Sequence, residues 1–175
     1  MVGKLLVELK AKYTDLNKAR EILKEINAKF IGRYHQVDTY YLIGEKRLKL
    51  RNVDDKEYFL VYYERPNLAS IKQSKIILAK ILDGIELNEI LEGILGIKVI
   101  VDKIREIYEY KGVRIHLDSV KYLGNFIEFE KPTTKNKIVN DRKLLEDLML
   151  TFRITRDDLI GKSYSDLLLD HLTKS

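Results

Sequence analysis

Lys4-Leu5-Leu6-Val7-Glu8-Leu9-Lys10-Ala11-Lys12 alternates apolar and charged side chains with the two-residue period of a strand. Leu5, Val7, Leu9 and Ala11 fall on one face, Lys4, Leu6, Glu8, Lys10 and Lys12 on the other. The first face suits a packed core. The second carries one carboxylate and three ammonium groups around a single leucine. Two arrangements satisfy that pattern: an antiparallel strand with one wet face, which the pattern alone favours, and a strand whose charged face looks into a tunnel.

The same period recurs along the chain. Thr14 is placed to cap a helix running to about Ala28, with Leu16, Ala19, Ile22, Leu23 and Ile26 on its apolar side. A strand from about Phe30 to Ile43 puts Tyr34, Gln36, Asp38 and Tyr40 on one face. Arg47-Leu48-Lys49-Leu50-Arg51 and Tyr58–Arg65 read as a hairpin around the Asp54-Asp55 turn, stopped by Pro66. Ser70 to Lys80 is a fifth strand. A second helix starts at Asp83 or Gly84 and ends at Gly96. Strands follow over Lys98–Tyr110, Val113–Val120 and Phe126–Glu130, and the periodicity becomes helical from Lys137. Eight strands, mostly joined by hairpins, suffice for a small closed barrel with flanking and C-terminal helices. The fold class is α+β, in one domain spanning residues 1–175.

With 175 residues, 45% of them hydrophobic, the chain is long enough for a real core and is not a disordered segment. The absence of cysteine excludes disulfides, thiolate metal sites and a cysteine nucleophile. No apolar run approaches a membrane span, and no charged leader precedes an apolar stretch. The expectation is a cytoplasmic protein, and the abundance of isoleucine, lysine and glutamate leans towards a thermophile. A net charge of +5 suits an anionic partner.

Charges spaced two apart occur on four strands: Glu8/Lys10/Lys12, Lys49/Arg51, Lys103/Arg105 and Glu128/Glu130. Arg65 and Lys72 add single cations, and Arg114 shares a face with His116 and Asp118. Two carboxylates at that spacing share a divalent cation or else repel each other; hard oxygen ligands suit Mg²⁺ or Mn²⁺. Basic side chains on several walls match a triphosphate. Against this stands a solvated face with surface ion pairs, which contributes little. That alternative is strong for Lys103/Arg105, because Asp102 and Glu106 charge the opposite face too. It is weaker for Glu128/Glu130, which sit among Phe126, Ile127 and Phe129. His35 and His116 lack helical ligand spacing and read as strand-surface or hydrogen-bonded histidines. Asp118 reads as a turn-initiating acid.

Several stretches resemble the CYTH superfamily: the opening strand, Gln36-x-Asp38-x-Tyr40, Arg47-Leu48-Lys49-Leu50-Arg51 and Lys103-x-Arg105-x-x-Tyr108. The run from Leu117-Asp118 through Leu123-Gly124 to Glu128-Phe129-Glu130 is similar to that family's LD-x-V-x-x-LG-x-F-x-E-x-E signature. Ser163-Tyr164-Ser165-Asp166-Leu167-Leu168 resembles the branch called class IV adenylyl cyclases. The resemblance implies an eight-stranded antiparallel barrel enclosing a triphosphate tunnel. It implies Mg²⁺- or Mn²⁺-dependent chemistry on a nucleoside triphosphate, thiamine triphosphate or inorganic tri- or polyphosphate. It also implies metal on Glu8, Glu128 and Glu130, and phosphate on Lys10, Lys49, Arg51 and Arg105.

The full candidate set adds Arg65, Lys72, Lys103 and Arg114 as substrate contacts and gives Lys12 and Arg105 catalytic roles. A homodimer is left open; nucleic acid fits poorly, since a duplex does not enter a closed barrel. Three positions depart from the family pattern. Leu6 stands where the E-x-E-x-K motif has its first glutamate, Tyr63 where a lysine is usual, and Ser74 where an acid is usual. Arg65, two residues beyond Tyr63, is placed to replace the lysine. The alternative function is a triphosphate- or polyphosphate-binding module with weak or lost catalysis.

Overall fold

The computed structural model describes residues 4–44, 46–64 and 66–174. β1 (Lys4–Lys12) leads through α1 (Leu16–Glu25) into β2 (Lys29–Tyr41), β3 (Arg47–Val53), β4 (Glu57–Glu64) and β5 (Lys72–Ile81). α2 (Gly84–Leu95) then precedes β6 (Ile97–Tyr110), β7 (Val113–Val120) and β8 (Gly124–Pro132). α3 (Ile138–Thr151), a 3₁₀ turn at Arg156–Asp158 and α4 (Tyr164–Leu172) follow. The order is the one the periodicities give. One local expectation fails: α1 is capped by Asp15, not Thr14. The Asp15 carboxylate accepts from the Lys18 amide at 3.0 Å, which satisfies one of the free donors of the first turn.

The eight strands close into an antiparallel barrel in the order β1-β5-β4-β3-β2-β6-β7-β8. β1 completes the ring, with Glu8 opposite Lys72 of β5 on one side and Glu130 of β8 on the other. The β6–β7 turn is Lys111-Gly112, both left-handed at φ 49° and 73°, a backbone twist that matches the flanking strands.

The larger apolar cluster lies outside the barrel wall. Val7, Leu9 and Ala11 of β1, Val113, Ile115 and Leu117 of β7, and Ile127 and Phe129 of β8 turn outward. They pack on Ala19, Ile22 and Leu23 of α1 and on Leu145 and Leu148 of α3. Burying these side chains contributes about 1.5–3 kcal/mol each for the larger ones. The opposite parity faces the barrel interior, which is largely charged.

The C-terminal segment closes one end of the barrel. The Ile160 amide donates to the Lys10 carbonyl at 2.8 Å, and Leu159 bridges to Ala11. Gly161 presses its backbone on that of Asn67–Ala69, where a Cβ would lie 2.9 Å from the Leu68 carbonyl carbon. Tyr164 and Leu168 of α4 then pack on Tyr40, Val99, Val101, Val120 and Phe126. Among the described residues, no helix is long and apolar enough to cross a membrane.

Candidate functional site

Strand parity sends the predicted charges inward, so the tunnel arrangement of β1 holds and the wet-face alternative does not. Glu8, Lys10, Lys49, Lys72, Lys103, Arg105 and Glu128 are all buried. The inward face of β2 adds Asp38, which is fully buried and was given no role from sequence. Its carboxylate gathers cations from two neighbouring strands. Oδ2 accepts from Lys49 Nζ at 2.6 Å and from Lys103 Nζ at 2.8 Å. Arg51 grips both oxygens, through Nε at 2.7 Å and a terminal nitrogen at 2.9 Å. Burial alone would push the Asp38 carboxyl up; Arg51, Lys103 and Lys49 together hold it well below the usual carboxylate range. One carboxylate does not neutralise three cations. Burial, with repulsion from Arg51, pushes the Lys49 ammonium well down, and burial lowers Lys103 as well.

A second knot joins β1, β6, β7 and β8. Arg105 Nε donates to Asp118 Oδ1 at 2.6 Å, and a terminal nitrogen reaches Glu128 Oε2 at 2.7 Å. Lys10 Nζ lies 3.2 Å from Glu128 Oε1 and 3.6 Å from the centre of the Tyr164 ring, a cation–π contact. The Tyr164 hydroxyl donates to Asp118 Oδ2 at 2.7 Å. Burial, then the Asp118 and Glu128 charges, push that hydroxyl well above its ordinary pKa. Burial would raise the Glu128 carboxyl, but Lys10 and Arg105 hold it well below its usual range.

Three sequence expectations are corrected here. Asp118 does not initiate a turn: it lies inside β7, fully buried, as the partner of Arg105 and Tyr164. Lys103 is not on a solvated face, because the acids charging the opposite face have other partners. Asp102 takes His35 Nε2 at 2.7 Å, and Glu106 takes Arg20 of α1 at 2.7 Å. Of the two readings of His116, strand-surface or hydrogen-bonded, the first fails. The ring is buried in the barrel directly across from Glu128.

The remaining predicted residues lie apart from these two clusters. Glu8 is turned to Ser74, whose hydroxyl donates to Oε2 at 2.7 Å. Lys72 Nζ donates to the Leu68 and Gly161 carbonyls at 3.1 Å each, beside the closing segment. Glu130 sits nearer the mouth, its side chain 31% exposed. Lys12 and Arg114 are exposed at the ends of their strands, outside the buried network. Arg65 lies outside the described residues.

A family model described as "CYTH domain" matches residues 4–164. The chain belongs to the CYTH domain family. A curated relative from Methanocaldococcus jannaschii, named "Putative adenylate cyclase", is 34% identical over 173 residues, covering 92% of this chain and 97% of that protein. Among solved structures, the PH1012 protein of Pyrococcus horikoshii superposes with a TM-score of 0.84 at 21% identity, over 93% of this chain and 98% of its own. A Hippeastrum protein, "Putative adenylyl cyclase HpAC1", matches at a TM-score of 0.62 and 16% identity, over 96% of both chains. At such identities the structural matches speak for the fold alone.

Proposed function

We propose that this CYTH protein is an enzyme acting on a triphosphate held inside the barrel, by cyclising ATP to cyclic AMP and pyrophosphate or by hydrolysing a triphosphate. The observation that carries this is the Asp38 hub. Lys49, Arg51 and Lys103 converge on one fully buried carboxylate, leaving excess positive charge where each unpaired ion costs several kcal/mol. A polyanion entering that space supplies the missing charge. The name carried by the M. jannaschii relative favours the cyclase form.

The chain's own groups divide the work. Lys49, Arg51 and Lys103 bind the phosphate chain, and Lys10 and Arg105 extend the basic wall towards Glu128. Arg105, gripped by Asp118, is held in place to stabilise charge developing on the transferred group. In cyclisation the ribose 3′-hydroxyl oxygen forms a bond to the α-phosphorus, its proton is lost, and the bond to pyrophosphate breaks. In hydrolysis a water oxygen forms the bond to the terminal phosphorus instead, its proton is lost to solvent, and the bridging P–O bond breaks to release orthophosphate and the diphosphate leaving group. A divalent cation fits the carboxylates of Glu128 and Glu130: each has an oxygen within 4.8 Å of the other's and of a buried, unpartnered imidazole nitrogen. When bound, Mg²⁺ or Mn²⁺ supplies Lewis-acid polarisation of the phosphoryl oxygens. Glu8, two residues before Lys10 on the same inward face, stands across from Glu130 and extends the acidic side.

A second reading, a binding module with little turnover, is favoured by Leu6, which is buried on the inward face opposite Ser74 where two acids would otherwise stand. Incubation with ATP, inorganic triphosphate and thiamine triphosphate, each with Mg²⁺ and Mn²⁺, separates the outcomes. Cyclic AMP establishes the cyclase and orthophosphate the hydrolase. Tight binding without product establishes the module, and failure to bind any of the three overturns the proposal.

A further inference from the structure

His116 Nδ1 is buried and has no hydrogen-bond partner, in a side chain only 4% exposed. A buried ring nitrogen ordinarily finds a donor or acceptor, and leaving it without one costs about 1–3 kcal/mol. Two carboxylate oxygens face it, Glu128 Oε2 at 3.6 Å and Glu130 Oε1 at 3.9 Å. Both are too far for a hydrogen bond. They are close to the spacing of atoms that share a cation, since two ligands at about 2.1 Å from a metal lie at most about 4.2 Å apart. The strand register builds this arrangement. Glu128 and Glu130 project inward two residues apart on β8, and His116 stands opposite Glu128 on β7. Lys10 lies 3.2 Å from Glu128 Oε1, and Arg105 donates to Oε2 at 2.7 Å, so the oxygen facing the imidazole already accepts one hydrogen bond and offers a cation its remaining lone pair.

A nitrogen donor changes which cation such a site prefers. Mg²⁺ takes oxygen ligands in a strict octahedron, whereas imidazole suits first-row transition ions. Resting on the metal assignment of the proposed function, we propose that His116, Glu128 and Glu130 form a mixed nitrogen–oxygen site that selects Mn²⁺, Co²⁺ or Zn²⁺ over Mg²⁺. The site sits at the β7–β8 wall of the barrel, apart from the Asp38 hub on β2, β3 and β6. Nitrogen ligation and triphosphate binding are therefore separable by experiment.

The test uses the full chain, freed of metal and loaded with Mn²⁺ alone, and reads ¹⁴N modulation in the electron spin echo. One histidine nitrogen is expected, disappearing in His116→Asn. Calorimetry with Mn²⁺, Co²⁺, Zn²⁺ and Mg²⁺ is expected to show at least tenfold tighter binding of Zn²⁺ and Co²⁺ than of Mg²⁺. The same variant should lower the transition-metal affinities tenfold or more and change Mg²⁺ less than threefold. Should His116→Asn not fold, a chain with His35→Gln and His171→Gln retains His116 as its one histidine. The ¹⁴N signal must persist there and convert to ¹⁵N on labelling with ¹⁵N-histidine. Mn²⁺ bound without a nitrogen signal, or no Mn²⁺ bound, overturns the site. Binding of inorganic triphosphate to the metal-free chain is measured in parallel, and its absence counts against the triphosphate reading without bearing on His116.

Discussion

Lys103 Nζ and Asp38 Oδ2 lie 2.8 Å apart, with both side chains only 1% exposed. A lone pair of this kind would be a neutral, internally satisfied feature of the barrel. Here the same carboxylate also holds Lys49 and Arg51, so the pair belongs to a cluster with more cations than acids. Such a cluster is stable only at the expense of other packing, or with an anion present. The balance between those two conditions is measurable.

Asp38→Asn should test the hub directly. The variant keeps the shape of the side chain but removes the charge that three buried cations share. Breaking a buried pair costs about 3–5 kcal/mol, which in a domain of this size is a fall in Tm of roughly 10 °C. Added inorganic triphosphate should recover more of that loss than it adds to the unaltered protein, because it replaces the missing negative charge. Equal shifts in the two proteins would mean that phosphate does not bind at the hub.

The pH dependence of stability follows from Lys49. Its pKa in the folded chain lies well below the ordinary lysine value of 10.5, through burial and then repulsion from Arg51. Between the two values the unfolded chain binds the extra proton, so stability rises as pH increases across that window. The penalty is fully present below the folded pKa. Triphosphate binding should restore the charged form and take up protons. Calorimetry at alkaline pH in buffers of different ionisation enthalpy should show this uptake, reduced in Lys49→Met. Proton release would contradict the assignment.

The two β8 acids should behave differently. Glu128 is paired with both Lys10 and Arg105, so Glu128→Gln strands buried cations and should destabilise the protein by about 3–5 kcal/mol. Glu130, nearer the mouth and 31% exposed, should tolerate Gln with less than about 1 kcal/mol lost while weakening Mn²⁺ binding at least tenfold. Denaturant melts and metal titrations of the two single variants check this. A destabilised Glu130→Gln with unchanged metal affinity would make the acid structural.

How much of this was legible in the sequence depends on whether the partner lies along the strand or across it. Alternation along β1, β3 and β7 defines which residues share a face, and the bounds Val113–Val120 agree with the structure to the residue. Ring closure was legible through strand count and resemblance. Pairings across strands were not. His116 meets Glu128 only through the β7–β8 register, and a histidine without a neighbour at ligand spacing carries no local sign of it. Asp38 looked like one polar residue of β2 because its cations come from β3 and β6. Lys103 looked solvated because Asp102 and Glu106 bracket it, although those acids serve His35 on the neighbouring strand and Arg20 on α1. The Asp102–Lys103 contrast could have been found by asking which of two charged faces has helices to cover it.

Leu6 gives the last prediction. It shares the inward face with Glu8 and Lys10, as strand parity requires, and stands opposite Ser74 on β5 and Pro132 on β8. It is also buried, at 7% exposure, so this part of the interior is not open water. In the family pattern a glutamate occupies this position. Leu6→Glu would place a carboxylate two residues from Glu8, where like charges repel unless a cation lies between them. Without metal the variant should lose about 1–3 kcal/mol, the cost of an unsatisfied buried polar group. With Mn²⁺ the loss should shrink, turnover at fixed metal should rise, and the metal concentration for half-maximal rate should fall. Thermal melts with and without Mn²⁺, beside a product assay, distinguish the outcomes. A folded variant whose melting does not respond to Mn²⁺ and whose turnover is unchanged would place residue 6 beyond reach of the cation. Weak activity would then have to be traced to Tyr63 or Ser74, the other two departures from the family pattern.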